Sequence, residues 1–578
     1  MGNSLKKRGQ KMIRKFSRAS TKASEEGKEH IKENLFERFS HIQNIRLLIF
    51  EWVLLIAALT MLAMTQAFWF SSSYAEDDFT FGGTYTEATI GRVSSMNPLF
   101  ATTTSEKVLS KLMFATLAVA DYSGHPGPGL AQSIRYSENG KVWTIRLREG
   151  LTWSDGEPLT NEDVMFTVGL IQNPAVSTVY KSNLDGVKVS EGSDGEIIFT
   201  LPAAYADFTT ALEFPIVPKH ILADTPVKTL VEDEFSNKPV TSGAFTFNAL
   251  QTSANSDEEV IYLSANANYY GQRPLLNTIG VHTYGAKEDV IRAVNAGSVT
   301  GTAELSGLDA EKIVNGSFEK RNTAVEAGAY LFFNTSSGVM KNAALRRAVR
   351  LGISLEKLRE AAPGMVALNY PFTNTQITLE KYPSIPSQDF ETAYSEIAEI
   401  KGDGSLKINI ATVNSGYLPA VAEELRSELE VLGFEVNLNV YEETQDFIAN
   451  IIARRNYDIL VYEIELGADP DPLPYYYSSQ ASAAGLNLSN YRNTIVDDLL
   501  VGARGTVDTK LRAKKYESFL EYWVNDVPAI GLYQANMTYI YNRNAKVYGE
   551  NVRLVSAIDR FSDVQNWAVI KETKNRTP

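Results

Sequence analysis

The sequence predicts a mixed α/β body preceded by one apolar helix. Three observations predict it. Strand-like and helix-like periods alternate from Leu406 to Leu466, Val142–Glu149 alternates apolar and polar residues, and Leu47 to Phe70 is almost wholly apolar. With 578 residues, 44% hydrophobic and 21% charged, the chain is long enough for several domains and has ordinary globular composition.

The elements follow in order. Residues 1–46 carry twelve Lys/Arg against five Asp/Glu, whereas the remainder carries 43 against 64. In this tail Ile31, Leu35, Phe39, Ile42 and Ile45 recur at helical spacing, giving an amphipathic helix that runs into the apolar segment. The segment Leu47 to Phe70 covers about 36 Å at ~1.5 Å per residue, enough for a bilayer core of roughly 30 Å. Trp52 and Trp69 suit the two interfaces, and the basic tail puts the N-terminus in the cytoplasm and the acidic body outside. The expectation is a single-pass transmembrane anchor in the cell membrane. Ser73-Tyr74-Ala75 also resembles a cleavage site, so removal of the anchor stays open. Residues 71–81 read as a linker.

In the body, Trp143, Ile145 and Leu147 share one face of a half-buried strand. Asp155-Gly156 marks a turn, and Thr160 with Asp163 three residues on caps a helix. Glu196–Leu201 is a further strand and Lys287–Ala296 a helix. Leu406–Ala411, Glu435–Tyr441 and Tyr457–Leu466 are strands separated by helices over Leu418–Leu432, which Gly433 stops, and over Gln445–Arg454. Such a βαβαβ run makes a mainly parallel sheet, and two α/β lobes place a ligand in the cleft between them.

Several function classes are excluded or disfavoured. An acidic body repels a phosphate backbone, so nucleic acid is no partner. The chain has no cysteine, hence no disulfide, thiolate metal site, Cys nucleophile or lipidated cysteine. Its five histidines lack the spacing of a zinc site. No metal, cofactor or catalytic residue is expected. A Gly-x-Ser-x-Gly elbow, a Walker loop and a dinucleotide fingerprint are missing. Glu463 and Glu465 share a strand face without a facing acid, so a glycosidase pair is unsupported.

One acidic motif points to binding. Gly467-Ala468-Asp469-Pro470-Asp471-Pro472 follows the Tyr457–Leu466 strand, where clefts open in parallel sheets. Pro470 and Pro472 fix φ, so the loop is stiff and loses little entropy on binding. Asp469 or Asp471 either meets a ligand ammonium or caps a turn. Tyr475 and Tyr476 pack on a ligand or point into the core.

The order of motifs over Gly82 to Asn551 resembles the extracytoplasmic solute-binding proteins of peptide ABC importers, the dipeptide/oligopeptide/nickel family. Carriers are Gly83-Thr84-Tyr85, Met96-Asn97-Pro98-Leu99, the stretch from Trp143 through Trp153-Ser154-Asp155-Gly156 to Val164, Val217-Pro218-Lys219-His220, Thr241-Ser242-Gly243-Ala244-Phe245, Asn268-Tyr269-Tyr270, Phe333-Asn334, Leu345-Arg346-Arg347-Ala348 and the Asp469 loop.

The resemblance implies a periplasmic-binding-protein-like two-lobed fold of type II with an extra β-rich domain. Lobe I takes 82–124, 225–325 and 535–578, the extra domain 125–224, and lobe II 326–534. It implies ligand-binding roles for Asp469, which matches the family's amine acceptor, and for loops carrying Met96, Asn97, Ser242 and Gly243, each of which also reads as a structural turn. Arg346 and Arg347 read as surface or hinge residues. The partners implied are a peptide ligand and ABC permease subunits, with membrane attachment via Leu47 to Phe70. A ligand-sensing ectodomain and an extracellular hydrolase stay as alternatives.

Overall fold

The computed structural model describes residues 46–73, 75–77 and 81–575, apart from 121–123, 125, 253–257, 337, 374, 443–444, 484, 550–551 and 571–572. The basic tail and its expected amphipathic helix lie outside the described residues, whereas the expected linker is partly described: residues 71–73 end the helix Arg46–Ser73 and Ala75–Asp77 form a strand paired antiparallel with Thr573–Asn575. The chain divides into two units, Met1–Asp78 with Glu572–Pro578, and Phe79–Lys571.

In the first unit a helix runs Arg46–Ser73. The segment lacks Gly and Pro, and the Thr60 and Thr65 hydroxyls donate back to the carbonyls of Ile56 and Met61 at 2.8 and 2.9 Å, which suits a helix interior. The membrane expectation is corrected here. Among the described residues no helix is long and apolar enough to cross a membrane. Forming a helix and spanning a bilayer are separate demands. The single transmembrane helix, the membrane contact via Leu47 to Phe70 and the single-pass placement with a cytoplasmic N-terminus are therefore withdrawn.

The second unit is built on an eleven-stranded sheet and a separate four-stranded one. In chain order the strands are β1 (Thr84–Ile90), β2 (Ala131–Tyr136), β3 (Val142–Leu147), β4 (Lys188–Glu191), β5 (Ile197–Thr200), β6 (Phe245–Thr252), β7 (Glu259–Ala265), β8 (Thr278–Tyr284), β9 (Gly301–Thr302), β10 (Phe318–Phe333), β11 (Val366–Ala367), β12 (Lys407–Val413), β13 (Glu435–Tyr441), β14 (Ile459–Glu465) and β15 (Ala529–Asn542). The large sheet runs β13-β12-β14-β10-β15-β9-β1-β8-β7-β6, with β11 added to β15. Parallel pairs occupy two places, β13/β12/β14 and β9/β1/β8, separated by the antiparallel pair β10/β15. The small sheet, β2-β3-β5-β4, is antiparallel throughout.

Local chemistry explains the small sheet and its helix. Trp143 and Ile145 of β3 are buried while Arg146 between their neighbours is exposed, as a period of two requires. The helix Asn161–Gln172 begins where the Asp163 carboxylate accepts from the Thr160 backbone N–H at 2.8 Å.

Two large apolar clusters form the cores, and β10 and β15 pass from one to the other. Val325 and Ala327 of β10 belong to the first cluster and Ala329–Phe333 to the second. On β15 the change falls between Tyr533 and Ala535. The β10/β15 ladder shifts register between Ala324 and Gly328 and again between Ala329 and Tyr330, at the same crossing. This two-core arrangement is the two-lobed α/β, periplasmic-binding-protein-like fold with an added β-sheet domain.

Candidate functional site

The loop after β14 is held from several parts of the chain. Gln376 Nε2 donates to the carbonyls of Leu466, Gly467 and Asp469 at 3.3, 2.8 and 3.4 Å. Arg553 Nη2 donates to the Ala468 carbonyl at 3.3 Å, and its Nε donates to the buried Glu326 carboxylate at 2.5 Å. Gly124, at φ +75°, lies where a Cβ would come within 2.7 Å of the Arg553 side chain, so only glycine leaves that arginine its path.

Both aspartates of the loop are paired. Asp469 is buried and accepts from Arg512 Nη2 at 2.5 Å. Burial pushes its carboxyl above the ordinary range, and Arg512 opposes the shift. Burial depresses the Arg512 guanidinium, but the hydrogen bonds and charges of Asp469 and Tyr516 together more than offset that, leaving it raised. Asp471 accepts from Arg504 Nε at 2.6 Å and from the Leu473 N–H at 3.2 Å, which is a turn-capping geometry.

A cavity of about 460 Å³ opens beside this loop. Its wall includes Asp207, Gln376, Ala468, Asp469, Arg512 and Arg553. Lys514 at the same wall is paired with Glu380 at 2.7 Å and with Glu517 at 3.0 Å. Burial, with the charge of Asp469 adding to it, pushes the Asp207 carboxyl up to about 7, and Arg512 offsets part of the rise. A second depression of about 490 Å³, bordered by Glu258, Tyr284, Asp289 and Arg292, shares no residue with it.

The sequence-derived candidates fall in different places. Asp469 lines the cavity, whereas Asp471 faces Arg504. Tyr475 donates its hydroxyl to the Glu465 carbonyl, and Tyr476 is buried against Phe519 and Trp523. Met96 lies in the first core cluster, and its N–H donates to the Ser236 carbonyl at 2.8 Å. Asn97 is fully buried and caps the short turn Pro98–Phe100 by accepting from the Leu99 N–H at 3.2 Å. Ser242 accepts from the Ala115 N–H at 3.0 Å, and the Gly243 N–H donates to the Met113 carbonyl at 2.7 Å. A Cβ at Gly243 would lie 2.5 Å from the Met113 carbonyl carbon, so this glycine permits a backbone-to-backbone approach. Among these eight residues, only Asp469 is in the cavity wall.

Sequence reasoning missed Arg512, Asp207, Gln376 and Arg553. Arg512 left a trace: the helix Thr509–Asp526 buries Arg512, Tyr516, Phe519, Leu520 and Trp523, so a cation interrupts an apolar stripe. Arg346, read as surface or hinge, is buried. Its guanidinium donates to the carbonyls of Met340 at 2.7 Å and of Asp526 and Val527 at the end of that helix. Asp207 sits in a stretch without periodicity and left no signal.

Two α/β lobes, an added β-sheet domain and a cavity carrying charged side chains at a strand end define the class as solute-binding proteins. The chain matches the bacterial extracellular solute-binding proteins, family 5 Middle, over residues 125–487, and it belongs to that family. It is a binding protein and not an enzyme. The oligopeptide-binding protein AppA of Bacillus subtilis is 25% identical over 478 residues, 79% of this chain and 87% of AppA. The structure of that AppA in complex with a nonapeptide has a TM-score of 0.70 at 22% identity, covering 85% of this chain and 100% of AppA's. The substrate-binding protein CtaP of Listeria monocytogenes has a TM-score of 0.74 at 22% identity, over 85% of this chain and 100% of CtaP. NikZ of Campylobacter jejuni, solved with Ni(L-His), has a TM-score of 0.71 at 21% identity, over 84% of this chain and 99% of NikZ. The three structural likenesses establish the fold. Among the described residues, no group of three or more His, Cys, Asp or Glu side chains could hold a metal ion.

Proposed function

We propose that this chain captures a peptide, or a similar amine-bearing solute, in the cavity beside Asp469 and delivers it to the permease of an ABC importer. In this reading lobe I comprises residues 82–124, 225–325 and 535–578, the β-rich domain 125–224, and lobe II 326–534. The lobes close about the strands β10 and β15, where the ladder shifts register.

The observation that carries the reading is Asp469, a buried carboxylate in the cavity wall at the carboxyl end of β14. A ligand ammonium meeting a desolvated carboxylate makes a charge-assisted hydrogen bond of about 1.5–3 kcal/mol. Arg512 keeps the carboxylate compensated while the cavity is empty, since an isolated buried charge is costly. AppA, a family relative, binds a nonapeptide in its solved structure.

Titration calorimetry of the full chain with short peptides tests this. Free-amine peptides are expected to bind, their N-acetylated forms to bind at least about tenfold more weakly, and Asp469→Asn to lose most of that preference, at ~1.4 kcal/mol per decade. Equal affinity for both peptide forms would sink the assignment. Delivery is tested by crosslinking the ligand-loaded protein to permease subunits in cells.

A further inference from the structure

Asp207 reaches the cavity from a segment remote in sequence from Asp469, following β5 in the small-sheet region. No hydrogen bond or ion pair reaches its carboxylate from any described residue, whereas Asp469 is held by Arg512. Other charged side chains of the wall have ion-pair partners: Arg553 with Glu326, and Lys514 with both Glu380 and Glu517. Lys510 also lacks an ion pair, but it is exposed and water screens it. Asp207 is thus the half-buried charge of the wall that feels Arg512 only at a distance, with no ion pair or hydrogen bond to its carboxylate among the described residues.

The backbone that carries Asp207 is fixed. Its carbonyl accepts from the Thr210 N–H at 3.1 Å and from the Thr210 hydroxyl at 2.8 Å. The preceding Ala206 N–H donates to the Arg504 carbonyl at 2.7 Å, and the Arg504 guanidinium lies 5.0 Å from the centre of the Tyr205 ring. Arg504 also holds Asp471, two residues from Asp469. One arginine therefore ties the Asp207 segment to the Asp469 loop, so both carboxylates are presented to one cavity by a shared frame.

We propose that Asp207 is a second acceptor for the ligand's cationic group, acting with Asp469 to select solutes that carry an ammonium. The inference rests on the reading that this cavity takes an amine-bearing solute. Arg512 supplies one positive charge against two carboxylates, and the ligand supplies the second. Burial first and the charge of Asp469 second raise the Asp207 carboxyl, and a cation at the two carboxylates would relieve both. Because one carboxylate belongs to the small-sheet region and the other to the loop after β14, the same cation draws the two parts together.

The test uses the full chain and an equimolar pool of synthetic alanine-rich peptides, tripeptide to nonapeptide, with free α-amines, alongside the same pool N-acetylated. Retained peptides are counted by mass spectrometry. Wild type is expected to retain the free-amine pool, Asp207→Asn to retain about tenfold less of it, and the acetylated pool to be held equally poorly by both. Asp207→Glu, which keeps the charge, is expected to recover part of the loss. Equal loss in both variants would make packing rather than charge the cause and overturn the proposal. Full retention by Asp207→Asn while Asp469→Asn fails would remove Asp207 and leave the Asp469 reading standing. Retention of neither pool by wild type would overturn both.

Discussion

Arg512 Nη2 stands 2.5 Å from Asp469 Oδ2 inside the cavity wall, with the guanidinium 5.5 Å from the centre of the Tyr516 ring. Both side chains are largely withdrawn from water, so neither charge can be removed alone at low cost. Arg512→Met should destabilise the protein by about 3 kcal/mol at neutral pH, because breaking one side of a buried pair strands the other. The double variant with Asp469→Asn should lose less than the two single losses added together. Urea unfolding of the four proteins checks this, and strict additivity would deny the coupling.

Gly243→Ala should cost about 1–3 kcal/mol, the usual range for overpacking, because the new methyl meets the backbone of Met113 and Phe114, which cannot swing away. Thermal unfolding reads the loss. A neutral result would mean that the helix Thr104–Met113 moves freely at its end, contrary to the paired hydrogen bonds from Ser242 and Gly243 to the Met113 carbonyl.

The pH dependence of stability should run downward from mildly acid to neutral. Burial, with Asp469 adding and Arg512 opposing, pushes Asp207 up to about 7. Burial likewise pushes Glu213 up to about 7 beside Lys111 and Asp559, and Glu304 up to about 7 beside Arg560 and Glu87. Unfolded, such carboxyls titrate near ~4. Between about pH 4 and 7 the native state binds more protons than the unfolded one, so stability falls as pH rises through that window. Glu106 and Asp559 are lowered instead and lose their contribution only at more acid pH. Melting temperatures of the ligand-free protein should therefore be higher near pH 5 than near pH 8, with Asp207→Asn flattening the slope. A rise toward pH 8 would contradict it.

Arg346→Met should destabilise by about 2–4 kcal/mol. The guanidinium satisfies carbonyls of the Met340 turn and of the end of the helix Thr509–Asp526, where a cation also suits the helix dipole. Denaturant midpoints of Arg346→Met and Arg346→Lys would rank the loss, with lysine intermediate because it cannot fork between two carbonyl sets.

The sequence by itself determined what lies within one element or one turn. The alternation of Trp143 and Ile145, the Thr160/Asp163 cap and the parallel strands β12, β13 and β14 follow from side-chain period and capping chemistry over a few residues. The order of motifs likewise carried the family, and the stiff loop after β14 carried Asp469. Apolar composition from Leu47 to Phe70 gave a helix at Arg46–Ser73, but the step from helix to membrane crossing did not follow.

Only the tertiary structure decided which charges meet. Asp469 and Arg512 are 43 residues apart, and Asp207 comes from a turn after the small sheet. It also decided that Met96, Asn97, Ser242 and Gly243 are packed or paired within the interior, because a turn sequence is the same whether a ligand or a helix end fills the space beside it. Periodicity is set by neighbours along the chain, whereas counter-ions and cavity walls are set by chain closure over long separations, and no local pattern encodes that.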